Sequence, residues 1–262
     1  GGRHADNDLD FQEFHFIIPA KDNFEQTLES VVTFFHNLGS LLEANGLGGF
    51  LGDEGGFAPQ NISHLRAFQF IIEAGQRSQL KEGTDFFLGL DAAASTMALG
   101  DVYEFKREGV QRTAKELKDY YLELMSKFPL VYLEDPFGQD EFDDFAGLLK
   151  IVGDKMVIAG DDLVATNIER LKSAVKKSAI NGVIIKPNQI GTLSESLEVA
   201  REALKNKVSL VVSHRSAETE DTYIADLAVG IGAKFLKAGA PVRGERVAKY
   251  NRILEIDQEL NQ

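Results

Sequence analysis

FFLGLD (86–91), VYLE (131–134), MVIAGD (156–161), GVIIK (182–186), SLVVSHR (209–215) and AKFLK (233–237) are apolar runs of strand length. Each ends on a charged or hydrogen-bonding side chain: Asp91, Glu134, Asp161, Lys186, His214 with Arg215, and Lys237. Helix-compatible stretches follow near 112–128, 141–151, 167–178, 192–206, 219–230 and 243–256. This alternation is the pattern of an α/β fold closed as a (β/α) barrel of the TIM type, whose chemistry gathers where the parallel strands end. One charge after a strand says only that the chain exits into water. Six in series, three carboxylates and then three cationic or imidazole positions, point to one shared site.

Upstream of these units, the apolar residues Leu28, Val31, Val32, Phe35, Leu38 and Leu42 keep helical spacing between Asn23 and Asn45. A second helix is expected after Pro59, using Leu65, Phe68, Ile71, Ile72 and Ala74. Two short extended segments flank these helices, FHFII (14–18) and GFL (49–51). Two opening strands and two helices followed by six βα units give eight of each, a count that closes a barrel. GDVYEFKREG (100–109) reads as a hairpin excursion. No linker divides the chain, so residues 1–262 read as one domain.

Composition narrows the chemistry. A length of 262 residues suits a barrel, and 44% hydrophobic residues suffice for a large core. The net charge of −13 argues against nucleic acid or anionic lipid as the main partner, although a few converging cations still make an anion pocket. The absence of cysteine excludes disulfides, thiolate metal sites and thiol nucleophiles. A metal must then be held by carboxylate, imidazole or backbone oxygen, which favours hard ions such as magnesium. No apolar stretch approaches membrane-spanning length and no signal peptide is visible, so a cytoplasmic location without membrane insertion is expected. The opening Gly1-Gly2, without Met, reads as a cut or a missing upstream segment.

Asp91, Glu134 and Asp161, at three consecutive strand ends, would repel one another unless a cation neutralised them, and magnesium fits. Lys186 and Lys237 are either rim residues or cations whose pKa is lowered toward that of a base. Ser213-His214-Arg215-Ser216 places hydroxyls, imidazole and guanidinium in one strand exit, suited to phosphate or carboxylate, or to capping the next helix. The glycine-rich GLGGFLGDEGGFAP (46–59) is expected to present Asp53-Glu54 on a mobile loop. Asp6, Asp8 and Asp10 imitate a calcium loop, but Phe11 and Ile17 stand where its glycine and final glutamate belong. His15, His36 and His64 have no partner at metal-ligand spacing and read as structural.

The runs GDEGGFAP, LEDPF, GDDL, KPNQIGTLSES, SHRSAETEDTYIADLAVG and KAGAPVRGERVAKYNRILEI resemble the barrel domain of enolase, phosphopyruvate hydratase, and keep the family's order over essentially the whole chain. The resemblance implies a lyase that dehydrates 2-phospho-D-glycerate to phosphoenolpyruvate in glycolysis, with magnesium held by Asp91, Glu134 and Asp161. It implies Lys186 as the base that removes the C2 proton and Glu54 as the acid that protonates the departing hydroxyl, assisted by Glu13. It places Arg215 and Ser216 on the phosphate, and Lys237, Gln12, His4 and His214 around the substrate. It also implies a homodimer or higher oligomer and an N-terminal α+β capping domain that this chain does not contain. Ala217 departs from the family, which usually has glycine there. Other open classes are a different acid dehydratase of the superfamily, and an impaired fragment or surface-displayed binding protein.

Overall fold

The computed structural model describes residues 1–21 and 23–261. Its elements run β1 (Glu13–Ile17), α1 (Phe24–Ala44), α2 (His64–Arg77), β2 (Phe87–Asp91), then a hairpin sheet of β3 (Ala98–Leu99), β4 (Val102–Phe105) and β5 (Val110–Thr113). After α3 (Ala114–Lys127) follow β6 (Leu130–Glu134), α4 (Phe142–Val152), β7 (Val157–Gly160), α5 (Ile168–Lys176), β8 (Gly182–Ile185) and the short α6 (Pro187–Ile190). The chain ends with α7 (Leu193–Lys205), β9 (Ser209–Ser213), α8 (Tyr223–Gly230), β10 (Phe235–Lys237) and α9 (Gly244–Leu260).

Local chemistry sets the helix starts. Asn23, Ser63, Asn167 and Thr192 each accept a backbone N–H of the first turn, and Thr113 with Glu116 forms a reciprocal capping box. Helix α2 buries Ala67, Phe68, Ile71 and Ala74, one face of a 3.6-residue period.

Among the described residues the main sheet has seven strands in the order β1-β2-β6-β7-β8-β9-β10, with β1 antiparallel to β2 and all other neighbours parallel. Strand period then sorts every side chain to one of two cores. Leu88, Leu90, Leu133, Ile158, Val183, Ile185, Leu210 and Val212 face the helices. Tyr132, Val157, Ala159, Ile184 and Val211 form a separate cluster inside the curl, with Ile17 and Phe235 packed on it. Counting two residues onward from the inner positions 132, 159 and 184 reaches Glu134, Asp161 and Lys186, which is why the charged strand ends share one mouth.

The opening differs from the expected count. GFL (49–51) adds no strand to the sheet: Leu51 makes only an isolated antiparallel bridge to Phe57. Its neighbouring glycines favour turns over a ladder. Among the described residues no ladder joins β10 to β1, so the sheet curls with two edges. A trough of about 910 Å³ adjoins both, lined by Phe16, Val31, Phe34, Phe235 and Ile253 and reaching Glu54 and His214 at its polar end.

Phe68, fully buried, packs edge-on to Phe14 at 5.0 Å and against Phe128 at 5.0 Å. Phe68→Ala is expected to cost about 3–5 kcal/mol. Phe50, 65% exposed, should tolerate the same change within about 0.5 kcal/mol. Urea unfolding of both variants checks this, and equal losses would contradict the assigned packing.

Candidate active site

Lys237, at the end of β10, is the hub of the mouth. Its Nζ lies 3.0 Å from Glu13 Oε2, 3.0 Å from Glu134 Oε1 and 3.3 Å from Asp91 Oδ2. Burial pushes this ammonium down, but the charges of Glu13, Glu134 and Asp91 outweigh burial and hold it well above the ordinary lysine value. Burial raises the Asp91 and Glu134 carboxyls, and Lys237 only partly offsets that cost, so both stay above their usual range. Glu13 goes the other way. Burial raises it too, yet Lys237 and hydrogen bonds from His15 and His4 leave it well below.

Lys186 pairs with Asp161 Oδ2. Burial lowers its pKa, but Asp161 more than compensates and the net direction is up. The expectation of a lysine already poised as a base is therefore corrected: paired with a carboxylate, the ammonium is the favoured form.

Glu54 stands on a loop that backbone contacts pin in place. Gly52 N–H donates to Gly56 O at 2.8 Å, Asp53 N–H to His4 O at 2.9 Å and Ala240 N–H to Glu54 O at 3.0 Å. Gly239 meets this loop with φ +82°, and a Cβ there would lie 2.7 Å from Glu54 O, so only glycine fits. Burial and Glu13 raise the Glu54 carboxyl, but a hydrogen bond and charge from His214 and the charge of Lys237 bring it below its usual value. The expected proton-holding glutamate is corrected in this arrangement, because His214 Nε2 lies 3.0 Å from its Oε2.

Of the remaining predicted residues, His4, Gln12 and Ser216 touch groups of the mouth, whereas the Arg215 side chain lies beside it in a separate pocket. His4 bridges Glu13 Oε1 at 3.0 Å and Ser216 Oγ at 3.2 Å. Burial lowers its pKa, but the hydrogen bond to Glu13 and the charge of Glu54 turn the net direction upward. Gln12 Nε2 donates to Asp91 Oδ2 at 3.0 Å, which orients the carboxylate. Arg215 Nη1 donates to Asn188 Oδ1 at 3.3 Å, beside a shallow pocket of about 640 Å³ that Ser216 and Arg243 also line.

Four contributors were missed from sequence. His15 Nε2 sits 2.8 Å from Glu13 Oε2, and its position two residues along the same strand was an available signal. Tyr132 donates its hydroxyl to Glu134 Oε2 at 2.6 Å, again from the same face. Asp135 accepts the backbone N–H groups of Asp161 at 3.0 Å and Asp162 at 2.6 Å. Arg246, on α9, reaches His214 with no periodic cue.

The three candidate metal ligands do not meet as one tight group. Among the described residues, donor atoms fall within 4.8 Å of one another in His4–Glu13–Glu54 and in Asp135–Asp161–Asp162. Two ammonium groups explain the split: Lys237 neutralises Asp91 and Glu134, and Lys186 neutralises Asp161. The donor set still suits a hard divalent cation. All three are carboxylates, two carry a buried charge that their pKa direction marks as costly, and Asp161 Oδ1 is buried without a hydrogen-bond partner among the described residues.

A stability test follows from the sign of these shifts. Carboxyls whose folded pKa is raised cost the fold stability once pH passes their unfolded values, about 4. A divalent cation offsets that cost. Magnesium at a hundredfold excess over its Kd should add about 2.7 kcal/mol at neutral pH. The gain should fade as pH drops toward the raised pKa values of Asp91 and Glu134, higher than for ordinary carboxylates. Melting curves across pH check this, and a gain undiminished in acid, or retained in full by Asp91→Asn, would contradict it.

A family model described as enolase, C-terminal TIM barrel domain, matches residues 1–262. The geometry agrees at the level of a curled parallel sheet with acids and lysines at the strand ends. The chain belongs to the enolase C-terminal TIM barrel domain family, a family of enolase-superfamily lyases.

Proposed function

We propose that the chain carries the catalytic barrel of a phosphopyruvate hydratase, removing water from 2-phospho-D-glycerate to give phosphoenolpyruvate. The observation that carries this reading is the convergence of two lysines, two site glutamates, His4, His214 and Ser216 on one mouth, with Arg215 in the pocket beside it. A lysine base beside divalent ions is already a known pattern of the enolase superfamily.

Asp91, Glu134 and Asp161 are the proposed magnesium ligands. When bound, the ion would supply positive charge to stabilise the negative charge that builds on the substrate carboxylate as C2 loses its proton. Lys186 is the proposed base. Its ammonium must first leave Asp161 and give up a proton, because the paired form is the favoured one. The neutral amine then takes the C2 proton, and the C–H electron pair moves into the substrate carboxylate; in a second step it returns as the new C2–C3 double bond and the C3–O bond breaks. Lys237 stays cationic, with Glu13 at 3.0 Å still beside it when Asp91 and Glu134 turn to the ion, and stabilises the developing charge.

Glu54 is the proposed acid. It gives its proton to the C3 hydroxyl, which departs as water. Glu13 lies close enough to raise the Glu54 carboxyl, and His4 stands 3.0 Å from Glu13 and 3.5 Å from Glu54. Arg215 and Ser216 are proposed to bind the phosphate, since a guanidinium donates two parallel hydrogen bonds to an oxyanion. Asn188 already orients that guanidinium.

The two half-reactions separate experimentally. In deuterated buffer with magnesium, Lys186→Ala should lower exchange of the C2 proton of 2-phosphoglycerate by about 10²–10⁴-fold. Glu54→Gln should keep exchange and lose dehydration. Proton NMR of the substrate reads both, and exchange surviving in the lysine variant would overturn the assignment.

A further inference from the structure

Arg246 is 1% exposed, and its four terminal N–H groups all have acceptors. Nη1 lies 2.7 Å from His214 Nδ1 and 2.6 Å from Arg215 O. Nη2 lies 2.6 Å from Ser216 O and 3.3 Å from Asp53 O. One guanidinium therefore ties the loop that carries Glu54 to the strand exit that carries Arg215 and Ser216. It also touches the only imidazole in contact with Glu54 Oε2 among the described residues.

A guanidinium can only donate. His214 Nδ1 must then accept, and the neutral ring carries its hydrogen on Nε2. That hydrogen points at Glu54 Oε2, 3.0 Å away. An acid proton on Oε2 would face the Nε2–H group head on, so it belongs on Oε1. Oε1 is the oxygen 3.5 Å from His4 Nδ1, on the side of Glu13.

We propose that Arg246 is a positioning residue: by holding His214 in the Nε2–H tautomer it dictates that Glu54 carries its exchangeable proton on Oε1. The catalytic consequence rests on the reading of Glu54 as the acid, but the tautomer does not. Arg246 acts on the tautomer through His214 and on the placing of the two loops through the carbonyls of Asp53, Arg215 and Ser216. The same contacts keep Asp53 and Ser216 at fixed separation, so the acid is aligned with the proposed phosphate site by one side chain.

The test is the ring itself. In protein labelled with ¹⁵N-histidine, long-range ¹H–¹⁵N spectra distinguish the two tautomers, and substitution of each of the five histidines by Gln assigns the signals. Wild-type His214 should show a protonated Nε2 and a bare Nδ1. Arg246→Lys, which keeps a donor, should retain that form, whereas Arg246→Met should give a mixture with the Nδ1–H form. Met should also lower kcat for dehydration on the order of tenfold or more, with C2 exchange preserved. A protonated Nδ1 in the wild type overturns the proposal, even if the Met variant does not fold. So does a folded Met variant whose ring is unchanged. If the tautomers behave as stated while Glu54→Gln still dehydrates its substrate, the positioning stands and only the acid role falls.

Discussion

The buried ammonium of Lys237 among the carboxylates of Glu13, Asp91 and Glu134 is the constraint on which the rest depends. Glu13 belongs to the first strand of the sheet and Lys237 to the last, so this one cluster brings both edges of the curl to a common point. Burying four charges is seldom a net source of stability, because desolvation costs several kcal/mol per ion before any attraction is counted. Such a cluster makes better sense as a site whose charges are wanted than as a strut. The aromatic and aliphatic interior below it supplies the cohesion: Tyr132, Val157, Ile184 and Val211 pack inside the curl, and the larger cluster packs between sheet and helices.

Protonation at the mouth runs opposite to the chemistry proposed for it. The base is held as an ammonium by Asp161, and the acid is held as a carboxylate by His214 and Lys237. Both directions have one physical origin, the pairing of opposite charges in a place poor in water. A cation competing for Asp161, and a substrate competing for Glu54 and Lys237, would each break a pair and move its partner toward the form the reaction uses. The site is then best described as two protonation states separated by ligand charge, with the backbone and the Arg246 clamp common to both.

Much of this was legible in the sequence because period and spacing are local. The alternation that puts Tyr132 and Glu134 on one face, or Ile184 and Lys186, needs no knowledge of the rest of the chain. Helix α1 was expected from Asn23 to Asn45 and runs from Phe24 to Ala44, bounded by an Asn cap at each end. What failed was whatever depends on partners distant in sequence. Three residues of GFL cannot say whether another strand lies beside them, and Leu51 bridges Phe57 instead. Lys186 was recognisable as a strand-end lysine, but the direction of its pKa depends on Asp161, 25 positions earlier. His15 is an exception, because its partner Glu13 stands two residues away on the same strand and the alternation already put the two on one face. Arg246 carries no periodic mark because its role is defined by carbonyls and an imidazole from two other loops.

The central claim is that carboxylates from three strand ends serve one cation while the lysines give way. Crystals of the chain grown with manganese, read by anomalous scattering, test it most directly. The account predicts one strong peak bounded by the carboxylates of Asp91, Glu134 and Asp161, with the Lys186 ammonium displaced from Asp161. A peak seated instead on Asp135, Asp161 and Asp162, with Lys237 still joined to Asp91 and Glu134, would contradict it.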